Sequence, residues 1–76
     1  MNEAAIRQLL EAGLDDCELE IIIDGNKLGL AISSSAFEGL NRVKRQQLVY
    51  GLLNDRIGSG EIHAVSMKCI APSEQQ

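Results

Sequence analysis

The amino-acid sequence predicts an α+β domain that contains a three-stranded mixed sheet with helices packed on one face. Two segments repeat apolar residues at helical spacing, and three segments alternate with the period of a strand. A chain of 76 residues, with 45% hydrophobic and 24% charged side chains, can bury one small core and no second one. We therefore treat residues 1–76 as a single domain.

The first element is predicted to be a helix. Asn2 can cap its start, and Glu3 suits the positive end of the helix dipole. Gly13 is expected to end the helix. The apolar positions that repeat at helical spacing are Ile6, Leu9, Leu10 and Leu14.

A hairpin is predicted next. Apolar residues alternate over residues 17–23, which indicates a half-buried strand. Residues 24–26, Asp-Gly-Asn, have turn chemistry, and the alternation resumes over residues 28–32. Three serines at 33–35 end this second strand.

A longer helix is predicted from the cap Asn41 to about Ile57. Its expected buried stripe consists of Val43, Tyr50, Leu53 and Ile57. Gly51 costs about 1 kcal/mol relative to alanine inside a helix, which predicts a kink or a split into two helices there. Residues 58–60, Gly-Ser-Gly, end the helix.

The last strand is predicted over residues 61–70, before Pro72, and residues 73–76 are expected to form a loose tail. The intervening helix makes the second and third strands parallel with a right-handed crossover, whereas the hairpin makes the first two antiparallel. The strand of residues 28–32 is therefore expected at the centre of the sheet.

Composition argues against several classes of function. Tyr50 and Phe37 are the only aromatic residues, so a platform that stacks several bases is not expected. The net charge of −4 argues against strong nonspecific binding of nucleic acid. The longest apolar runs, such as residues 21–23, are far too short for a membrane span, and the N-terminus does not resemble a signal peptide. We expect a cytoplasmic protein without a membrane partner.

The two cysteines are expected to be free thiols. Cys17 begins the first strand and Cys69 ends the third, so both lie on outer strands about 10 Å apart. A disulfide needs Cα atoms within about 7 Å. With one histidine and no CxxC motif, the spacing also excludes a zinc site in this chain.

His63 is the one residue that could carry chemistry. On the predicted third strand it shares a parity with the apolar residues, and it lies at the same end of the sheet as residues 24–27. One interpretation is a half-buried histidine that bonds a backbone group. The other is an imidazole presented at the sheet end as a metal ligand or an acid–base group. Residues 33–35 and both cysteines are too far away for His63 to activate, so we expect no enzyme.

A second feature is the crowding of Arg42, Lys44 and Arg45 at a helix start. Cations there oppose the helix dipole at a cost of about 0.3–1 kcal/mol each. An acidic partner or another anion would relieve this repulsion. The simpler interpretation is a solvated helix face.

Several motifs together resemble the BolA family over nearly the whole chain. They are Phe-Glu-Gly at 37–39, the run Leu-Asn-Arg-Val-Lys-Arg-Gln-Gln-Leu-Val-Tyr at 40–50, Ile-His-Ala-Val-Ser at 62–66 and Ala-Pro-Ser-Glu at 71–74. The Val-Lys-Arg-Gln-Gln run is most similar to the short bacterial branch of the family. BolA proper usually has Arg-His-Arg at positions 45–47.

The resemblance implies an α-β-β-α-α-β fold similar to a type II KH domain. It also implies a monothiol glutaredoxin as partner, with a [2Fe-2S] cluster that can bridge the two proteins and a glutathione thiolate among its ligands. His63 matches the family's strand histidine, which supplies one ligand. The second ligand of the family, a His or Cys in the first hairpin, is matched by Lys27, which cannot donate to iron. Lys27, Arg42, Lys44 and Arg45 are the candidate contacts for the partner.

The competing function is nucleic-acid binding by a transcriptional regulator. The KH-like fold that the resemblance implies favours it, as does the basic segment 25–57, which contains five basic and two acidic residues. The net charge, the shortage of aromatics and the absence of a Gly-x-x-Gly loop argue against it.

Overall fold

The computed structural model describes residues 1–74 and contains two helices and a three-stranded sheet. Gln75 and Gln76, the end of the expected loose tail, lie outside the described residues. The elements in chain order are α1 (Glu3–Gly13), β1 (Glu18–Asp24), β2 (Lys27–Ser33), a 3-10 turn (Ser35–Phe37), α2 (Arg42–Gly58), β3 (Ala64–Ile70) and a second 3-10 turn (Pro72–Glu74).

The sheet has the predicted order and directions. β2 is central, pairs antiparallel with β1 and parallel with β3. Gly25 takes the first central position of the two-residue hairpin turn with φ +61°, a conformation that a β-branched residue would adopt only with strain. The α+β class and the mixed three-stranded sheet are thus confirmed.

The core lies between the two helices and one face of the sheet. Alternate residues of β2 point into it, and Ile6 and Leu10 of α1 cover them. The Asn2 side chain accepts a hydrogen bond from the Ala5 amide, as predicted for the cap. Gly13 ends α1 and also permits a close approach of the helices, because an added Cβ would collide with Leu52.

Of the predicted kink or split at Gly51, the split into two helices is wrong. α2 runs unbroken from Arg42 to Gly58, and a Cβ at Gly51 would meet open space. An exposed glycine costs helix propensity there without a steric reason to bend the backbone. The short element before the long helix is instead the 3-10 turn Ser35–Phe37, which Ser34 caps through the Ala36 amide.

The predicted buried stripe of α2 is also partly wrong. Val43 is 60% exposed and Tyr50 is 42% exposed, whereas Val49 and Leu53 are fully buried. The helix is rotated because the side that carries Leu52 and its neighbours buries more apolar surface. Arg45, on this inner side, can turn inward because a carboxylate from the C-terminal turn meets it.

The expectation of a loose tail is wrong for Ser73 and Glu74. The Ser73 hydroxyl donates to Glu38, and Glu74 accepts two hydrogen bonds from Arg45. These contacts fix the second 3-10 turn against the start of α2. Within residues 1–74, no helix is both long enough and apolar enough to cross a membrane.

Candidate functional site

One end of the sheet brings together the β1–β2 turn and the segment that leads into β3. Lys27, the first residue of β2, is the register partner of Ala64, and Asp24 lies opposite Lys27 across the hairpin. The backbone amide of His63 donates to the Asn26 carbonyl at 2.9 Å. His63 and Lys27 therefore lie side by side at this end, as the predicted strand directions require.

The backbone around His63 is held on both sides. Ile62 is 2% exposed, and its amide donates to the Arg56 carbonyl at 3.3 Å. Gly60, with φ +85°, lets the chain turn out of α2 toward the sheet. Anchoring by a buried neighbour and a strand hydrogen bond gives the His63 side chain a defined place without burying it.

The expectation that a structural His63 would be half buried is wrong, because the residue is exposed. The third strand begins at Ala64 rather than at residue 61, so the strict alternation does not extend back to His63. Ile62 enters the core in its place. The imidazole is accessible to a ligand or to another protein.

The donor set at this end is small. Besides His63, the residues at this end of the sheet include Asp24 and Lys27, and the Lys27 ammonium has no lone pair for a metal. Residues 1–74 contain no group of three or more His, Cys, Asp or Glu side chains that could hold a metal ion. The described part of the chain can offer one imidazole ligand and cannot enclose a metal by itself.

Both cysteines are free and lie toward the opposite end of the sheet from His63. Cys69 is the partner of Ile32, near the end of β3, and Cys17 precedes β1. Burial raises the pKa of both thiols, with Glu11 adding to the effect on Cys17 and Arg45 opposing it on Cys69. A raised pKa keeps a thiol protonated and weakens it as a nucleophile or metal ligand.

Arg45 is committed to the fold rather than free for a partner. Its guanidinium donates two hydrogen bonds to the Glu74 carboxylate, at 2.6 and 2.7 Å, and this bidentate pair is the Arg45–Glu74 fork. The guanidinium also donates to the carbonyls of Leu40 and Cys69. Its side chain is 12% exposed. The hydrogen bonds from Arg45 lower the pKa of Glu74 to about 2, and the Ala71 amide acts in the same direction.

The fork predicts a pH dependence of stability. A carboxylate whose pKa falls from its ordinary 4.5 to about 2 on folding stabilises the native state above about pH 4.5. This contribution is lost as the pH falls toward 2. Thermal unfolding should therefore show Glu74→Gln less stable than the unsubstituted protein at pH 7, with the difference in Tm shrinking between about pH 4.5 and pH 2.

Glu3→Gln is the control for this experiment. A guanidinium nitrogen of Arg7 lies 3.8 Å from a carboxylate oxygen of Glu3 at the surface, and an exposed ion pair of this kind contributes little to stability. The Tm of Glu3→Gln should differ from that of the unsubstituted protein by much less than the Tm of Glu74→Gln does, because an exposed ion pair and a charge at a helix start each contribute little. A constant Tm difference for Glu74→Gln down to pH 2 would show that the fork acts only through neutral hydrogen bonds.

Arg42 and Lys44 are exposed at the start of α2, where Asn41 accepts from the Lys44 amide at 2.9 Å. They are not near His63. α2 has 17 residues and is about 25 Å long, and its C-terminal end leads into the His63 segment. Of the four predicted partner contacts, only Lys27 lies beside His63.

Two features at the end of the sheet opposite His63 escaped prediction. The Arg45–Glu74 fork joins residues far apart in sequence, and no local pattern indicates such a pair. Ser34 is fully buried, donates to the Asp15 carbonyl and caps the first 3-10 turn. The serine run at residues 33–35 predicts only the end of a strand and gives no indication that Ser34 caps the turn that follows.

Comparisons with known proteins agree on one family. A model of the family described as BolA-like protein matches residues 10–74. A protein from the rpoN-murA intergenic region of Acinetobacter guillouiae is 38% identical over 97% of this chain and 89% of its own length. The acid stress protein IbaG of Escherichia coli K12 is 36% identical over 97% and 88%. The BolA domain of SufE1 from Arabidopsis thaliana superposes with a TM-score of 0.89 at 35% identity over 99% of both chains.

Proposed function

The chain belongs to the BolA family, and from this we propose that it is a non-enzymatic adaptor that binds a monothiol glutaredoxin and contributes His63 to a shared [2Fe-2S] cluster. The observation that carries the proposal is the presentation of His63. Its backbone is fixed by Ile62 and by the Asn26 carbonyl, while its side chain is exposed at a sheet end. An exposed imidazole on a held backbone is suited to complete a site that another protein provides.

The small donor set favours a shared cluster over a resident one. A [2Fe-2S] cluster takes four ligands, and imidazole ligation raises its potential relative to thiolate ligation alone. The described residues offer one soft ligand at this end. Such a chain is suited to receive, pass on or sense a cluster that its partner brings.

A role in stress regulation has a separate support. The Escherichia coli relative carries the name acid stress protein. We extend to this chain a role in iron, redox or stress regulation through the same glutaredoxin contact. Here the adaptor would act by association and would need no catalytic group of its own.

The proposal is tested by titrating this protein into a monothiol glutaredoxin with glutathione, by calorimetry and by absorption spectroscopy after reconstitution with iron and sulfide. We expect a one-to-one complex with a spectrum that differs from that of the glutaredoxin alone. No association at protein concentrations of about 100 μM would contradict it.

The position of the interface predicts a ranking of charge reversals. Lys27→Glu should weaken the association about tenfold, because Lys27 lies beside His63 at the centre of the proposed contact. Lys44→Glu makes the same change in the first turn of α2, about 21 Å along the helix from its C-terminal end, and should weaken it about threefold or less. A larger effect of Lys44→Glu would place the interface at the start of α2 instead.

In this experiment the Tm of each variant distinguishes the loss of a partner contact from damage to the fold. Lys44 lies in the first turn of α2, where a carboxylate is favoured by the helix dipole. Arg42→Glu combined with Lys44→Glu should therefore leave the Tm equal or higher.

Nucleic-acid binding, the competing function, loses part of its support. Arg45 is engaged by Glu74, so that only Arg42 and Lys44 are exposed cations at this helix start.

A further inference from the structure

The face of the sheet opposite the helices is uncovered. Alternate residues of all three strands point away from the core on this side, and Ile22 is 70% exposed in the middle of β1. The remaining residues of this open face are Glu18, Glu20 and Asp24 of β1, Lys27, Gly29 and Ala31 of β2, and Ala64, Ser66, Lys68 and Ile70 of β3. Ser33 of β2 shares their parity but is buried.

The open face carries opposite charges on its two outer strands, β1 and β3. Ala31 pairs with Glu20 on one side and with Lys68 on the other, so the three residues form one row across the sheet. Glu20 and Lys68 are separated by two strand spacings, about 10 Å, and neither belongs to an ion pair among the described residues. In the next row Gly29 lies between Ile22 and Ser66. The centre of the face is therefore low, with taller side chains along its edges.

We propose that this open face is a self-association surface, on which two copies of the chain pack face to face about a two-fold axis along β2. Such an axis places β1 of each copy over β3 of the other. Glu20 then meets Lys68 of the second copy, and the same pair forms again by symmetry. Two sheets stacked in this way belong to the aligned class of sheet packing.

The row formed by Ile22, Gly29 and Ser66 is compatible with the same two-fold axis. Ile22 of one copy lies over Ser66 of the other, next to Gly29, so that a large side chain meets small ones. The other two-fold arrangement, with its axis across the strands, would place the acidic strand β1 over itself. The charge pattern thus selects one of the two.

Charge also disfavours other occupants. A nucleic acid or a uniformly acidic protein would meet Glu18 and Glu20 along one edge of the face, and a uniformly basic one would meet Lys68. A second copy carries the opposite charge at the positions of Glu20 and Lys68, whereas Lys27, on the axis at one end of the face, lies over Lys27 of the second copy. The proposal does not rest on the glutaredoxin contact, because His63 lies outside these rows, although Lys27 at the end of the open face belongs to both surfaces.

The size of the face sets the strength of the association. Three strands of seven residues cover about 23 by 14 Å, which is well below the ~800 Å² per partner of a standard stable complex. The dimer should therefore be weak and reversible, with a Kd of roughly 0.1–1 mM. It would form where the protein is concentrated locally.

The experiment is a charge swap read by sedimentation equilibrium and by concentration-dependent NMR shifts of the full chain. Glu20→Lys and Lys68→Glu should each weaken self-association at least about tenfold, because each places two like-charged pairs in the interface. Mixing the two variants should restore it, since both cross pairs then have opposite signs. The double variant Glu20→Lys with Lys68→Glu should also associate like the unsubstituted chain.

Two matched controls accompany the swap. Glu11→Lys makes the same charge change on α1, and Val43→Ser removes an exposed apolar side chain on α2. Both should associate like the unsubstituted chain, whereas Ile22→Ser should weaken association at least about fivefold. A monomer at 2 mM, a mixture that fails to restore the dimer, or NMR shifts confined to the helices would overturn the proposal. Shifts of the open face on adding duplex DNA, in a chain that stays monomeric, would assign the face to nucleic acid and overturn it as well.

Discussion

His63→Ala should abolish the histidine-ligated signature of the glutaredoxin heterocomplex. The chain has a single histidine, and within residues 1–74 no cluster of three or more His, Cys, Asp or Glu side chains could replace it as a metal site. The two thiols lie toward the other end of the sheet, and burial raises the pKa of each. Removal of one imidazole therefore removes every soft ligand that the described residues offer at this end.

The same count of ligands predicts that the heterocomplex cluster is labile even with His63 present. In the proposed complex the glutaredoxin cysteine and glutathione supply two ligands and His63 supplies a third. In this proposal Lys27 takes the position of the fourth ligand and cannot donate, so only Asp24, its partner across the hairpin, or water remains, and oxygen ligands hold such clusters less well. Lys27→Cys or Lys27→His should lengthen the lifetime of the cluster.

Electron paramagnetic resonance of the reduced complex, together with visible circular dichroism, checks both expectations. Lys27→Ala is the matched control at saturating protein concentrations, since it removes a neighbour of His63 that is not a ligand. It should weaken association but leave the signature of the formed complex unchanged. His63→Ala should cost little stability, because the side chain is exposed. An unchanged signature in His63→Ala would show that His63 is not a ligand.

Local patterns were sufficient to predict most of the fold. The period-two segments located three strands, and the turn at residues 24–26 together with the helical crossover fixed their directions. The caps Asn2 and Asn41 are also confirmed, since each accepts the expected backbone amide. These features depend on neighbours in sequence, which is why they can be read without knowledge of packing.

The rest depended on contacts between distant residues. The rotation of α2, which exposes Tyr50 and buries Val49, follows from the competition of two apolar faces for one core. The inward turn of Arg45 depends on Glu74, 29 residues later in the chain. The exposure of His63 follows from the place where pairing with β2 begins, at Ala64, and strand starts are poorly marked in sequence. Thus the position of the candidate site was predictable, while the accessibility of its residues was not.

Phe37→Ala should have the largest effect on stability of any substitution considered. Phe37 is 0% exposed and is the largest fully buried side chain of the described residues. It ends the 3-10 turn that links β2 to α2, and its amide donates to the Ser34 carbonyl. Truncation of a buried phenylalanine costs about 3–5 kcal/mol, whereas a chain of this length has a total stability of roughly 4–11 kcal/mol. The variant should lose a large part of its stability, with a Tm lower by at least about 15 °C.

Tyr50→Ala is the natural control, because it removes the only other aromatic side chain from an exposed position on α2. Alanine suits the helix, so this change should stay within about 0.5 kcal/mol of the unsubstituted protein. Phe37→Leu, which keeps most of the buried volume, should cost less than about 2 kcal/mol. Urea unfolding followed by far-ultraviolet circular dichroism measures all three. If Phe37→Ala unfolds at the same urea concentration as Tyr50→Ala, the turn before α2 is not part of the cooperative core.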